Sequence, residues 1–435
     1  MSTLTSYVLD ALWSFTQCLS CFPSSPLLSI NGKSYKILRL LGEGGFSYVY
    51  LVQSPPSPQL YALKKIRCPF GAESVRQAMK EVEAYKLFAG SKYIIEAVDH
   101  AVVADKSGGS GGFGSSGAGD EGAPKTVYVL LPYYRRGNLQ DGINANLVNG
   151  SRFPERRLML LFRGVCEALR EMHNYKVGRS RRKKARNVRG EARRAAEQDE
   201  EDEGEAEGFL EGEAGLATEG VAEGQARAYA HRDIKPGNIM IADDGLTPIL
   251  MDLGSLSPSP TPITSRSQAL AVQDQAAEHS TMPYRAPELF DVKTGSVIDT
   301  KVDIWSLGCT LYACLVGKSP FEARSDETGG SLSLCVLGGD WRFPDDGEND
   351  DNNPAASKAR GKQPVPTAAM AAESKAIRDK NRVSKEVKDV VRRCLRVEPS
   401  ERPDVEELIR MVDEVVAHLP DDDGDSNGVV GEGSG

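Results

Sequence analysis

A chain of 435 residues, 40% of them apolar, is long enough to bury a sizeable core in one large or two modest domains. Its 53 Lys and Arg against 62 Asp and Glu give a net charge of −9, which supplies no global reason to bind nucleic acid, and its uncharged apolar stretches are too short to span a bilayer. Eight scattered cysteines are too sparse for a disulfide scaffold, and no Lys or Arg precedes Lys33 to begin a secretory leader, so the expectation is a soluble protein of a reducing compartment.

Along the chain, Leu4, Val8, Ala11, Leu12, Phe15, Leu19 and Phe22 recur at helical spacing, with Asp10 the only charge before Lys33. Cys18 and Cys21, near the end of that stripe, have C-x-x-C spacing, but zinc is a weak reading without a second Cys or His pair. Short runs rich in Tyr, Val, Ile and Leu predict strands over 35–41, 48–53, 60–66 and 126–131. Apolar residues of period 3.6 predict helices over 75–88, 158–173, 303–316 and 385–397. The result is an α+β chain in which a small β-rich region precedes a larger helical one. Three stretches interrupt it: a Gly-rich one at 104–125, one at 177–226 that is basic from Arg179 to Arg186 and then acidic from Asp199, and an Asp/Asn- then Ala/Pro/Lys-rich one at 345–381. The middle stretch reads as a solvated loop, ahead of nuclear targeting or nucleic-acid binding, because its acidic half can neutralise its basic half. The domain is expected over 35–419, with lobes 35–134 and 135–419, a separate segment 1–34 ahead of it and an acidic tail 420–435 behind it.

Gly42-Glu43-Gly44-Gly45-Phe46-Ser47-Tyr48-Val49 lies between two predicted strands, where glycines let backbone N–H groups approach phosphate oxygens. Alone, it is no more than a turn. The next strand ends at Lys64, and the helix after it offers Glu81, which on their own read as a surface pair. The informative string is His231-Arg232-Asp233-Ile234-Lys235-Pro236-Gly237-Asn238, followed by Asp252-Leu253-Gly254, Ala286-Pro287-Glu288 and Asp303-Ile304-Trp305-Ser306-Leu307-Gly308.

In these blocks the chain resembles a eukaryotic protein kinase, which implies a bilobal protein kinase fold with a β-rich N-lobe and a helical C-lobe. The resemblance makes Asp233 the residue that receives or orients the substrate hydroxyl proton, and Asn238 and Asp252 the ligands of Mg²⁺, or Mn²⁺, on ATP. Lys64, held by Glu81, would grip the phosphates. Two residues depart from the pattern: Ser47 replaces the third glycine and Leu253 the usual Phe, and both substitutions are tolerable. Lys235 and Thr281 match the serine/threonine branch, and Glu288 with Arg402 resembles the ion pair that ties the activation segment to the lower lobe. The strings 41–49, 61–64, 130–137, 229–233 and 251–255 are similar to the Numb-associated kinase family, nearest its myristoylated and palmitoylated branch. On that alignment Leu131 is the gatekeeper, Pro132 and Tyr134 face adenine with their backbones, and Val49, Ala62 and Met240 sandwich the ring.

The expected function is therefore a serine/threonine kinase acting on protein substrates and on its own activation segment, with a pseudokinase scaffold at membranes as the alternative. Animal members of the branch begin Met-Gly, whereas residue 2 here is Ser, which cannot be myristoylated. The N-terminal stripe reads either as a helix docked on the domain or as an interfacial helix. Cys18 and Cys21 favour the second, as S-acylation sites that would hold the protein on the cytosolic face of Golgi, endosomal or vacuolar membranes, in membrane trafficking.

Overall fold

The computed structural model describes residues 27–104, 124–176, 226–346 and 383–421, which fall into two compact units, Met1–Val75 with Ala97–Tyr133 and Arg76–Glu96 with Tyr134–Gly435. The expected helix over 4–22 with Cys18 and Cys21, residues 177–225 of the second insert and residues 422–435 of the acidic tail lie outside the described residues.

The first unit is a six-stranded antiparallel sheet built from β1 (Leu27–Ile30), β2 (Lys33–Glu43), β3 (Ser47–Gln53), β4 (Leu60–Cys68), β5 (Asp99–Ala104) and β6 (Lys125–Pro132), in the order β1-β2-β3-β4-β6-β5. Directly paired residues share a face, so the register sorts the side chains. Val52, Leu63 and Leu130 bury against Ile30 and Tyr35, each such side chain contributing about 1.5–3 kcal/mol. The opposite face carries two rows, Val49–Lys64–Val129 and Leu51–Ala62–Leu131. The four predicted strands are present. The sheet also takes in Leu27–Ile30, ahead of the expected start at Tyr35, and β5, which was not anticipated. Ala104 and Lys125, placed in the first insert, are a paired strand couple.

Helix α1 (Ala72–Leu87) spans the boundary of the units and buries Ala78, Glu81, Val82, Ala84 and Tyr85. In the second unit follow α2 (Leu139–Asn149), α3 (Glu155–His173), β7 (Ala228–Ala230), β8 (Ile239–Ile241), β9 (Pro248–Leu250), β10 (Ser257–Ser259), β11 (Thr261–Pro262), α4 (Arg266–His279), β12 (Val297–Ile298), α5 (Lys301–Val316), α6 (Pro320–Thr328), α7 (Leu332–Gly338), α8 (Lys385–Cys394) and α9 (Val405–His418). Asn138 and Asp141 close a capping box at the head of α2, and Gly150 ends it in a left-handed turn. Helix α5 is buried from Val302 to Leu315, and Trp305 stacks on Phe321 with ring centroids 5.3 Å apart. Its Gly308 is required: a Cβ there would lie 2.5 Å from the Cβ of Cys394 on α8.

Helix α8 stops at Cys394 rather than Val397, and the reason is visible. The carbonyls of Arg396 and Val397 turn out of helical register to accept from the Arg402 guanidinium at 2.7 and 2.8 Å. Asp345 and Asp346, expected to open the third insert, belong to the frame instead, paired with Lys388 and Arg392.

Candidate active site

Strand β7, paired with β10, delivers the chain to His231. Arg232 then adopts a left-handed backbone, φ 68°, which costs a non-glycine residue about 1–2 kcal/mol. Asp303, fully buried at the start of α5, holds that conformation: it accepts from the His231 and Arg232 N–H groups at 2.8 Å each, and His173 Nε2 lies 3.0 Å from Oδ2. Burial alone would raise the Asp303 carboxyl, but the His173 bond, the neighbouring histidines and the Arg232 N–H outweigh it and hold the group below the ordinary carboxylate range. His231 Nδ1 receives the Asp233 N–H at 3.2 Å, so its Nε2 is the protonated nitrogen that donates to the Met251 carbonyl at 3.1 Å.

Both oxygens of Asp233 are doubly engaged. Oδ1 accepts from the Thr281 N–H at 2.9 Å and the Thr281 hydroxyl at 2.7 Å. Oδ2 accepts from Lys235 Nζ at 2.8 Å and Asn238 Nδ2 at 3.1 Å. Since the Thr281 hydroxyl donates to Asp233, it accepts from Lys235 Nζ at 2.7 Å, and the three side chains close a ring. Such a ring fixes a carboxylate in direction without covering it with apolar groups.

Asn238 gives its amide nitrogen to two acceptors, the backbone and side chain of Asp233, so its carbonyl oxygen is turned to the other side. The Met251 N–H donates to the Asn238 backbone carbonyl at 2.9 Å, so the backbone one residue before Asp252 is paired with that of Asn238. Asp252 has φ 60° and ψ 69° at the entrance to the turn 253–255, and Leu253 behind it is buried. An amide oxygen and a carboxylate are donor types that suit a hard divalent cation. Glu81 approaches the same turn: a Cβ on Gly254 would lie 3.5 Å from Glu81 Oε2 and 3.6 Å from Asp252 Oδ1.

In the first unit, Gly44 and Ser47 close a tight hairpin, Gly44 N–H to Ser47 O at 2.7 Å and the return bond at 3.4 Å, with Gly45 and an exposed Phe46 at its tip. A Cβ at Gly42 or Gly45 would meet nothing within 4 Å, so neither glycine is demanded by packing; the space is open to a ligand. In the first unit the open backbone of the hairpin fits phosphate oxygens, and in the second the hard oxygen donors of Asn238 and Asp252 fit a divalent cation. Val49, Ala62, Lys64 and Leu131 share one sheet face, and Pro132 ends β6 opposite Tyr61. Tyr134 and Met240 belong to the second unit, where Met240 pairs with Ile249 and bridges to Asn138, and where burial, then Asp243, pushes the Tyr134 phenol up. Lys64 and Glu81 fall in different units.

The protein kinase domain family model matches residues 35–180 and 218–412. This chain belongs to the protein kinase family. Two fungal relatives align along nearly their whole length: serine/threonine-protein kinase ppk13 of Schizosaccharomyces pombe at 32% identity, covering 93% of this chain and 97% of the relative, and serine/threonine-protein kinase ENV7 of Saccharomyces cerevisiae at 33%, covering 90% and 94%. Human serine/threonine-protein kinase 16 is 31% identical over 73% of this chain and 80% of its own. The chain is a serine/threonine protein kinase, and its family implies ATP and a divalent metal. Around the loop of this kinase the expected Glu288–Arg402 pair is present and bidentate, at 2.7 and 2.8 Å. The Arg402 side chain is completely buried, over the Trp305 ring.

Sequence reading missed two supporting residues. His173 reads as one more position at the end of a helical stripe. Asp303 was quoted in a motif without a role; a single carboxylate at the head of so apolar a helix was the available signal.

Proposed function

We propose that this kinase transfers the γ-phosphoryl group of ATP to serine and threonine hydroxyls of proteins. Asp233 orients the hydroxyl and receives its proton, Lys235 steadies the oxygen being phosphorylated, and Thr281 keeps both in place. Lys64 grips the phosphates with the support of Glu81, while the backbone of Gly42 to Phe46 covers them and Val49, Ala62, Pro132, Tyr134 and Met240 receive the base. Mg²⁺, held by Asn238 and Asp252, would supply neutralisation of the charge between the phosphates. The observation that favours an enzyme over a pseudokinase scaffold is the closed ring of Asp233, Lys235 and Thr281. Incubated with Mg-ATP and a generic Ser/Thr substrate, the wild type should incorporate phosphate, and Asp233→Asn should lower the rate by about 10²–10⁴; equal rates would overturn the reading.

We propose that the kinase also phosphorylates its own activation segment. In the segment from Asp252 to Glu288, Ser257 and Ser259 are buried, Ser255 donates to the His231 carbonyl, Ser280 to the Ala276 carbonyl, and Thr281 is tied to Asp233. Thr264, Ser265 and Ser267 are exposed at the head of α4, where Ser265 is the N-cap and a phosphate would meet the positive end of the helix. Mass spectrometry should find phosphate on this cluster in the wild type and not in Asp233→Asn.

We also propose that acylation of Cys18 and Cys21 anchors the kinase to a cytosolic membrane surface of the trafficking system. Among the described residues no helix is long and apolar enough to cross a membrane, and two acyl chains supply what one cannot. Cys18→Ser/Cys21→Ser should move from the membrane pellet to the supernatant on fractionation; retention in the pellet would remove the anchor.

A further inference from the structure

Strands β7 and β10 pair Ala228 with Ser259, and one residue earlier the Arg227 N–H donates to the Tyr175 carbonyl at 2.8 Å. Lys176 stands opposite Ala226 in the next pairing. Within the second unit these residues and Pro260 line a cavity of about 590 Å³, inside the range of roughly 300–1,000 Å³ that holds small ligands. Ala226, Ala228 and Pro260 give it apolar walls, and Lys176 and Arg227 bring two cations to it. The Arg227 guanidinium lies 5.8 Å from the centroid of the Tyr229 ring, which holds its stem. Among the described residues no acidic side chain lines the cavity. His173 and Asn174, which also line it, are turned to the carboxylates of Asp303 and Glu406 at 3.0 and 3.2 Å. Ser259 is only 7% exposed, and among the described residues its hydroxyl has no hydrogen-bond partner. Folded proteins seldom keep a buried hydroxyl that way without something further to complete it.

We propose that this cavity binds a phosphoserine or phosphothreonine side chain of a protein, the group that a serine/threonine kinase itself produces. A phosphate monoester carries nearly two negative charges and three acceptor oxygens. Lys176, Arg227 and the Ser259 hydroxyl supply two positive charges and three donor groups, and charge-assisted bonds from a guanidinium and an ammonium are the strong ones for such an anion. A carboxylate brings one charge, half of what the two cations balance. The apolar walls are left to receive the carbon chain that carries the phosphate. None of the three donors belongs to the Asp233 ring, to the metal donors or to the hairpin, so the inference stands apart from the phosphotransfer reading.

The test follows, by fluorescence anisotropy and without ATP, the binding to the full-length protein of a labelled degenerate peptide with one central phosphoserine. The same peptide carrying serine should bind at least about tenfold more weakly, the ordinary size of a lost hydrogen bond to a charged group. Lys176→Glu, Arg227→Gln and Ser259→Ala should each weaken the phosphopeptide by about tenfold or more. All three should transfer phosphate to a generic serine peptide at the wild-type rate, which reports an intact fold. Two competitors separate the sources of negative charge. Inorganic phosphate, which cannot use the apolar walls, and an unphosphorylated peptide of residues 199–207, the acidic run of this chain, should each compete at least about tenfold more weakly than the phosphopeptide. Equal binding of the phosphorylated and plain peptides, or undiminished binding in Lys176→Glu or Ser259→Ala, would overturn the inference. So would equal competition by inorganic phosphate or by the acidic run.

Discussion

The catalytic loop and the glycine hairpin are built on opposite plans. At the loop, Asp233 and Asp303 each have both carboxylate oxygens engaged, and the donors come from residues as remote in sequence as Lys235, Thr281, Arg232 and His173. At the hairpin, Gly44 and Ser47 exchange two backbone bonds and nothing presses on Gly42 or Gly45. The carboxylates of the loop are fixed by the protein's own donors, whereas the hairpin, proposed above to cover the phosphates, is held by its backbone alone.

That contrast can be tested from its strongest member downward. Arg402→Ala removes a buried guanidinium that holds Glu288 and the carbonyls of Arg396, Val397 and Lys301. The expected loss is about 3–5 kcal/mol of unfolding free energy by urea titration, and a loss below about 1 kcal/mol would mean that the frame does not depend on it. Asp303→Asn should cost about 1–3 kcal/mol at neutral pH and flatten the acid limb of stability. Its folded carboxyl is depressed, so its contribution is complete above the ordinary carboxylate value of about 4 and is lost as pH falls through the lower folded value. Denaturation curves of the variant should therefore vary less with pH below about 4 than those of the wild type. At the weak end, Gly45→Ala should change unfolding free energy by no more than about 0.5 kcal/mol while raising the KM for ATP. Destabilisation by more than that would show the hairpin to be packed after all.

What could be read in advance follows the same division. The loop 231–238 is contiguous, so its chemistry stands in one line of sequence, and Thr281 and Arg402 could be added through the resemblance. His173 could not, because its role arises from a tertiary contact with Asp303 and its residue type suits the end of a helical stripe equally well. The four longest central strands of the sheet were visible from their Tyr/Val/Ile/Leu runs. Strand β5 was not: Val102 and Val103 are exposed on an edge, and the run abuts a glycine-rich stretch that reads as linker. The end of α8 was misplaced because Arg402, outside the helix, claims the carbonyls beyond Cys394.

Ala104 lies opposite Lys125, and Lys176 opposite Ala226. Where two interruptions leave and re-enter the domain, the frame has already brought the exits together. Doubling what is inserted at such a doorway costs only about 0.6 kcal/mol of closure entropy. A longer or shorter passage at either doorway would therefore leave the strand couple Ala104–Lys125 and the bridge Lys176–Ala226 as they are.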